Sequence, residues 1–321
     1  MDNPVRWGIL GAANFAREQM GPAIHAAKGA ELFALATSDA TKAAGFTAFA
    51  PGLRVHDPYD TLLADPDIDA VYIPLPNHLH VEWTLKALAA GKPVLTEKPI
   101  TMQSGEFDQL IAARDNSGLL AAEAFMIVHH PQWIHARDLV ADGAIGRLVR
   151  VDTTFSFDNR SETQNIRNRA DTGGGSLRDI GVYTIGSARF VTGAEMSDVR
   201  ASIDRENGVE VTCEMHARLG EVRFTGYTSM RAHPRQEANF HGEKGVIRMT
   251  TPFNANVFGM AQVVLERDGF EVMTRRYPGV NQYVIQVENF GASLRDGADY
   301  PCPLEFSRGT QDAIDAAMAA G

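Results

Sequence analysis

The chain has 321 residues, about twice the ~150 residues typical of one domain, and its 44% hydrophobic and 22% charged content is that of a folded protein rather than a disordered chain. Thirty Lys and Arg against forty Asp and Glu leave a formal charge of −10, which works against nucleic-acid backbones and anionic membrane surfaces as partners. No apolar run approaches the ~20 residues that span a bilayer, and the start Met1-Asp2-Asn3-Pro4 has no leader pattern, so a cytoplasmic protein is expected.

In chain order, residues 5–10, 32–37, 70–75, 93–96 and 119–125 are short apolar runs of β type separated by helical patterns. The clearest helix is 77–90, with Asn77 placed to cap it, Val81, Leu85 and Leu88 on one face, and Gly91 then Pro93 to stop it. A second helix over 104–117 ends at Gly118. This alternation predicts an α/β domain over 1–124, a doubly wound parallel sheet of Rossmann type whose ligand lies beyond the carboxyl ends of the strands. Past residue 124 the pattern changes to one helix near 132–141 and then alternating runs at 148–157, 209–219, 222–228 and 245–250. These predict an α+β domain over 125–321 with a large open, mainly antiparallel sheet. Gly173-Gly174-Gly175 marks a loop, because helix-like sequence with Ile180, Tyr183, Ile185 and Phe190 follows at once.

The first turn reads Gly11-x-Ala13-x-x-Ala16, directly after a strand and opening a helix with Asn14 and Phe15. Small residues here let backbone approach a pyrophosphate, with the helix N-terminus facing the anion, although alanine replaces two of the three fingerprint glycines and an ordinary strand-to-helix turn is the plain alternative. At the end of the second strand, Thr37 takes the place where an acidic side chain would hold the ribose of NAD. Ser38 and Lys42 could bind a 2'-phosphate there and Asp39 reads as a helix cap, so the cofactor expected is NADP, with NAD as the alternative. Glu97-Lys98-Pro99 follows the buried strand at the same sheet edge, and Asp179 and Tyr183, four apart, share a helix face. Taken singly, Lys98 reads as a solvated loop residue, Asp179 as a cap or salt-bridge residue and Tyr183 as a core residue.

The order of the first-turn motif, Asn77 and His80, Glu97-Lys98-Pro99, Glu123-Ala124-Phe125-Met126 with His129-His130-Pro131-Gln132, the glycine-rich Asp179/Tyr183 segment, and Asn281-Gln282-Tyr283 with Glu288 and Phe290 resembles the Gfo/Idh/MocA oxidoreductases. Within that family it is most similar to the branch of glucose-fructose oxidoreductase, xylose dehydrogenases and dimeric dihydrodiol dehydrogenases. The resemblance implies NAD(P)-dependent hydride transfer at a hydroxyl or carbonyl carbon of a sugar, polyol or cyclic diol, and catalysis by Lys98, Asp179 and Tyr183. It also implies an open sheet that packs against its mate in a homodimer or a dimer of dimers. Pro74, Asn77, His80, Glu97 and Lys98 then join Gly11, Ala13, Asn14, Phe15, Thr37, Ser38 and Lys42 on the cofactor side. Arg167, with Asn165 before it, lies by the substrate in the resembling branch, a surface arginine being the alternative reading. Val128 stands where the branch often carries Arg.

Chemically, a phenol with an unperturbed pKa of about 10 serves as proton donor and acceptor if a neighbouring positive charge lowers it, and Lys98 is the expected charge. Asp179 would orient the lysine or a substrate hydroxyl. The pairs His78/His80 and His129/His130 lack the spacing and carboxylate or Cys partners of a metal site, and Cys213 and Cys302 stand far apart without a Cys-x-x-Cys motif, so no metal and no disulfide are expected. Two rival readings remain: an enzyme that oxidises one sugar and reduces another on a retained cofactor, and a non-catalytic nucleotide-responsive regulator on the same fold.

Overall fold

The computed structural model describes residues 3–321; Met1 and Asp2, part of the start read above, lie outside them. In chain order the first elements are β1 (Val5–Leu10), α1 (Gly21–Ala26), β2 (Ala30–Ala36), α2 (Ala40–Thr47), β3 (Arg54–His56), α3 (Tyr59–Leu63), β4 (Ala70–Ile73), α4 (His80–Ala89), β5 (Val94–Thr96), α5 (Phe107–Ser117) and β6 (Ala121–Glu123). The strands form one parallel sheet in the order β3-β2-β1-β4-β5-β6. This is the doubly wound order, in which connections leave in opposite directions from β1 and β4 and open a crevice at the carboxyl edge between them. Strands covered on both faces must be apolar throughout: all four residues of β4, Ala-Val-Tyr-Ile, are buried.

The helix expected from Asn77 starts differently. Asn77–Leu79 forms a 3₁₀ turn after Pro76, and α4 begins at His80 with Leu79 in the cap position, where no side chain caps it. The interposed turn sends the His80 ring inward. Helix α5 ends as expected, with Gly118 left-handed at φ 66°.

The remaining elements are α6 (Pro131–Ala141), β7 (Leu148–Asp158), α7 (Val182–Thr192), β8 (Met196–Glu206), β9 (Val209–Leu219), β10 (Val222–Ser229), β11 (Arg231–Gly242), β12 (Gly245–Met249), β13 (Gln262–Arg267), β14 (Glu271–Arg276), α8 (Gln282–Asp296) and α9 (Leu304–Ala320). The sheet runs β14-β13-β12-β11-β7-β10-β9-β8, antiparallel except where β10 lies parallel to β7. Beneath it Phe155 and Phe253 stack at 5.2 Å, and the indole of Trp133 donates to the Pro252 carbonyl at 2.7 Å.

The chain divides into two compact units, but not at one boundary near residue 124. The first unit runs to Thr101 and adds Gly105–Met126 and Asn281–Glu305; the second holds Met102–Ser104, Ile127–Val280 and Phe306–Gly321. Helix α8, capped by Asn281 through the Tyr283 and Val284 amides, therefore belongs with the parallel sheet. The reason is burial: Trp7 of β1 is fully buried, with Phe290 of α8 against it at 5.0 Å. Lys28 N–H donates to Glu288 at 3.0 Å and Arg295 donates to the Gly29 carbonyl at 3.0 Å, fixing the same helix.

Candidate active site

In the first unit, the expected cofactor residues gather at the carboxyl edge of the parallel sheet. Gly11 follows β1 with φ +114°, and a Cβ there would lie 2.7 Å from Leu75 Cδ2, so only glycine makes this turn. Ala13 is half-buried, Asn14 and Phe15 are exposed, and Ala16 packs fully buried where the helix meets the sheet. The Phe15 ring stands edge-on to Tyr283 at 5.5 Å. A turn without a side chain, followed by small residues at a helix start, fits a dinucleotide pyrophosphate.

After β2 the candidates separate. Asp39 caps α2 through the Thr41 and Lys42 amides, and the Thr41 hydroxyl, chief among these bonds, holds its carboxyl below the ordinary range. Thr37 is buried and its hydroxyl accepts from the Asp39 N–H at 3.2 Å, so it stabilises the turn. Ser38 and Lys42 are exposed.

Between β4 and β5 the site is braced by His80. Its ring is fully buried, with Nδ1 2.7 Å from the Pro99 carbonyl and Nε2 2.7 Å from the Leu75 carbonyl. Burial pushes its pKa down to about 4, against the pull of the two carbonyls, which favour the protonated ring. His80 therefore ties the loop after β4 to the loop that carries Lys98, and its nitrogens face protein. Pro74 is buried and Asn77 half-buried beside it.

Glu97 lies at the end of β5. The Tyr72 hydroxyl donates to its Oε1 at 2.7 Å, the Lys98 N–H reaches its Oε2 at 3.3 Å, and burial raises its pKa to about 7 although the Lys98 charge opposes this. Glu123, at the end of β6, is buried and accepts from the Ile100 N–H at 2.9 Å. Tyr72 was invisible in the sequence because its strand reads as core throughout; only its place at the strand end makes its hydroxyl useful. Because Glu97 binds its proton more tightly folded than at its ordinary 4.5, its contribution to stability is full below that value and is lost as pH rises through about 7. Unfolding midpoints measured from pH 5 to 8 should therefore fall less in Glu97→Gln than in the parent chain; a steeper fall in the variant would contradict this.

In the second unit, a loop and a helix bring three candidates together. Arg167 Nε donates to Asp179 Oδ2 at 2.6 Å, with side-chain exposures of 40% and 12%. The Asp179 charge is the main reason the guanidinium stays above its ordinary value, and Tyr183 adds to it, so all three lie within electrostatic reach. The Tyr183 ring, 6% exposed, packs at 5.8 Å from Phe155 and 5.7 Å from Phe253. Asn165 is used locally: its Oδ1 caps the short turn at Arg167 N–H, 3.0 Å, and its amide donates to Glu162 at 2.7 Å. Its part is to hold Arg167 rather than to present a free amide. Val128 is buried.

His129 and His130 have interior roles, while His78 is exposed. His130 caps α6 at the Gln132 N–H, 3.0 Å, and burial lowers His129 to about 3 and His130 to about 4. Among the described residues, no group of His, Cys, Asp and Glu side chains could hold a metal ion, and no helix is long and apolar enough to cross a membrane.

A glycine turn and helix start at the switch point of a doubly wound sheet, with a second unit of open-sheet type, define a nucleotide-dependent oxidoreductase. The chain belongs to the Gfo/Idh/MocA family: residues 5–125 match the oxidoreductase family's NAD-binding Rossmann fold and residues 133–248 match the GFO/IDH/MocA C-terminal domain. It is 38% identical, over 97% of its length and 95% of the relative's, to an uncharacterized oxidoreductase of Rhizobium meliloti. To the dTDP-3,4-didehydro-2,6-dideoxy-alpha-D-glucose 3-reductase of Actinomadura kijaniata it is 34% identical, covering 95% of this chain and 91% of that one. The crystal structure of a 3-ketoreductase from Actinomadura kijaniata in complex with NADP and TDP-benzene superposes with a TM-score of 0.90 at 30% identity, covering 99% and 98% of the two chains.

Proposed function

We propose that the chain is an NADP-dependent oxidoreductase that moves a hydride between the nicotinamide and a hydroxyl or carbonyl carbon of a sugar or sugar-like ring, with Tyr183 as proton donor and acceptor assisted by Lys98 and Asp179. The observation that carries this reading is the cluster of Arg167, Asp179 and Tyr183, a phenol and a carboxylate one helical turn apart with a guanidinium 2.6 Å from the carboxylate. A binding module needs no such proton-handling group. The bound nicotinamide supplies the hydride chemistry.

The residues handle the proton. Oxidising a carbinol removes a hydride from carbon and a proton from the attached oxygen, so an acceptor must reach that oxygen. Tyr183 accepts the proton and returns it in the reduction direction; the Lys98 ammonium polarises the same oxygen and favours the phenolate. Asp179, held by Arg167, fixes a substrate hydroxyl or the ammonium, and Arg167 offers its remaining donors to a polyhydroxylated ligand. Sugar, polyol and cyclic-diol substrates all fit this chemistry, and the relatives named above favour a keto-sugar, including one carried on a nucleotide. The family likeness further supports a cytoplasmic enzyme that pairs with its mate as a homodimer or a dimer of dimers through the open sheet of β7 to β14.

The exposed Ser38 and Lys42, with Asp39 committed to its helix, favour a 2'-phosphate. Catalytic efficiency with NADPH should exceed that with NADH by about tenfold, and Lys42→Ala should remove most of the difference, the scale of one charged hydrogen bond. A strong NADH preference would contradict it. Assaying a panel of sugars, polyols, diols and keto-sugars with both cofactors tests the activity itself. No change in nicotinamide absorbance with any member would instead favour the regulator, and cofactor retained through purification would favour the sugar-to-sugar enzyme.

A further inference from the structure

We infer that Glu210, on the strand below the helix of Asp179 and Tyr183, is a positioning residue for catalysis: its buried carboxylate holds the start of that helix in place. This rests on the proposed roles of Asp179 and Tyr183.

The helix runs from Leu177 through a π-helical turn at Leu177–Gly181 into α7, and Ser176, in its cap position, does not cap it. The Ser176 hydroxyl is instead paired with Thr228 Oγ1 of β10 at 3.0 Å. The first amides of a helix need acceptors, and here the acceptor comes from another strand. Glu210 of β9, 4% exposed, receives the Leu177 N–H on Oε1 at 3.0 Å, and the Arg178 backbone N–H also stabilises its charge.

The fit is specific. A Cβ on Gly175 would fall on the Glu210 carboxylate, and Gly175 has φ +129°, so the glycine before the helix both makes the turn and leaves room for the carboxyl group. The arrangement places a carboxylate at a positive helix end, with the Arg178 charge partly offsetting the cost of its burial. A serine or asparagine cap at 176 would reach the second or third amide of the helix, not that of Leu177, and would not anchor the helix to the sheet. Asp179 follows Leu177 by two residues and Tyr183 by six, within the same helix, so a shift of its first turn moves both groups relative to their substrate.

The test compares Glu210→Gln, Glu210→Ala and Tyr183→Phe with the parent chain by kcat, KM for each substrate and thermal unfolding, on the best substrate found in the panel. Misplacing a reacting group by ~1 Å can cost about 10²-fold, so Glu210→Ala should lower kcat per folded enzyme about 10- to 100-fold, with KM for cofactor within about twofold. Glu210→Gln, which keeps one acceptor for Leu177, should recover part of that loss. If Glu210→Ala does not fold, a fall of about fivefold or more in the kcat of folded Glu210→Gln supports the inference. Activity that falls only in step with the folded fraction, with parent kcat in Glu210→Gln, overturns it. Full turnover in Tyr183→Phe would instead overturn the catalytic reading beneath it, so the two failures are distinguishable.

Discussion

Replacing Tyr183 by phenylalanine lowers turnover by about 10²-fold or more while cofactor affinity is retained, because it removes one oxygen and the proton it carries and little else. The ring stays packed against the Phe155 and Phe253 pair, whose contacts with it are ring to ring, so the variant should fold with a thermal midpoint close to that of the parent. The loss should fall on kcat. A general acid and base also leaves a pH signature: the parent profile should show a limb for the phenol that the variant lacks. Near-parent turnover in Tyr183→Phe would remove the phenol from the mechanism.

Replacing Lys98 by alanine has an effect of similar size, about 10²-fold or more, for a different reason. The ammonium is the charge proposed to polarise the reacting oxygen and to favour the phenolate, so its loss should also move the remaining pH limb upward. The Lys98 backbone is fixed independently of its side chain: its N–H lies on Glu97, and the next carbonyl, that of Pro99, lies on the buried His80 ring. The variant should therefore keep its fold and still bind cofactor. An unchanged pH profile together with unchanged turnover would exclude Lys98.

Much of this was legible in the chain, and the parts that were not share a physical cause. Strands with both faces covered, such as Val5–Leu10, or with one buried face, such as Val209–Leu219, show their burial as apolar runs or alternation, and their limits agree with the structure. Strand β8 escaped because an edge strand needs little apolar surface, and its sequence Met-Ser-Asp-Val-Arg-Ala-Ser-Ile-Asp-Arg-Glu is mostly polar. Strand β11 carries Pro234, which reads as a break; the sheet accommodates it where the register shifts between Arg231 and Arg235. The return of α8 to the first unit could not be read at all, since Trp7 requires a cover but nothing in its own neighbourhood says which distant helix provides it.

The site divides in the same way. Glycine turns and residues just past apolar strands are visible as patterns, which is why Gly11, Glu97 and Lys98 stand out in the sequence as candidates. What a polar side chain bonds to is not a pattern. Thr37 and Asn165 look like ligand groups in the sequence and are engaged by nearby chain, while Tyr72 and Glu210 look like core and strand residues, yet one bonds Glu97 in the first unit and the other the helix start at Leu177 in the second. Asp179 and Tyr183 do lie in one continuous helical run, but the pairing of Asp179 with Arg167 depends on a loop whose course no spacing rule describes.

The most direct measurement is an experimental structure of the enzyme with oxidised cofactor and an unreactive substrate analogue, read at the oxygen of the carbon facing the nicotinamide. The account predicts the Lys98 ammonium and the Tyr183 hydroxyl both within about 2.6–3.2 Å of that oxygen. A complex in which either group lies beyond hydrogen-bond reach of it, with no water between, would contradict the account.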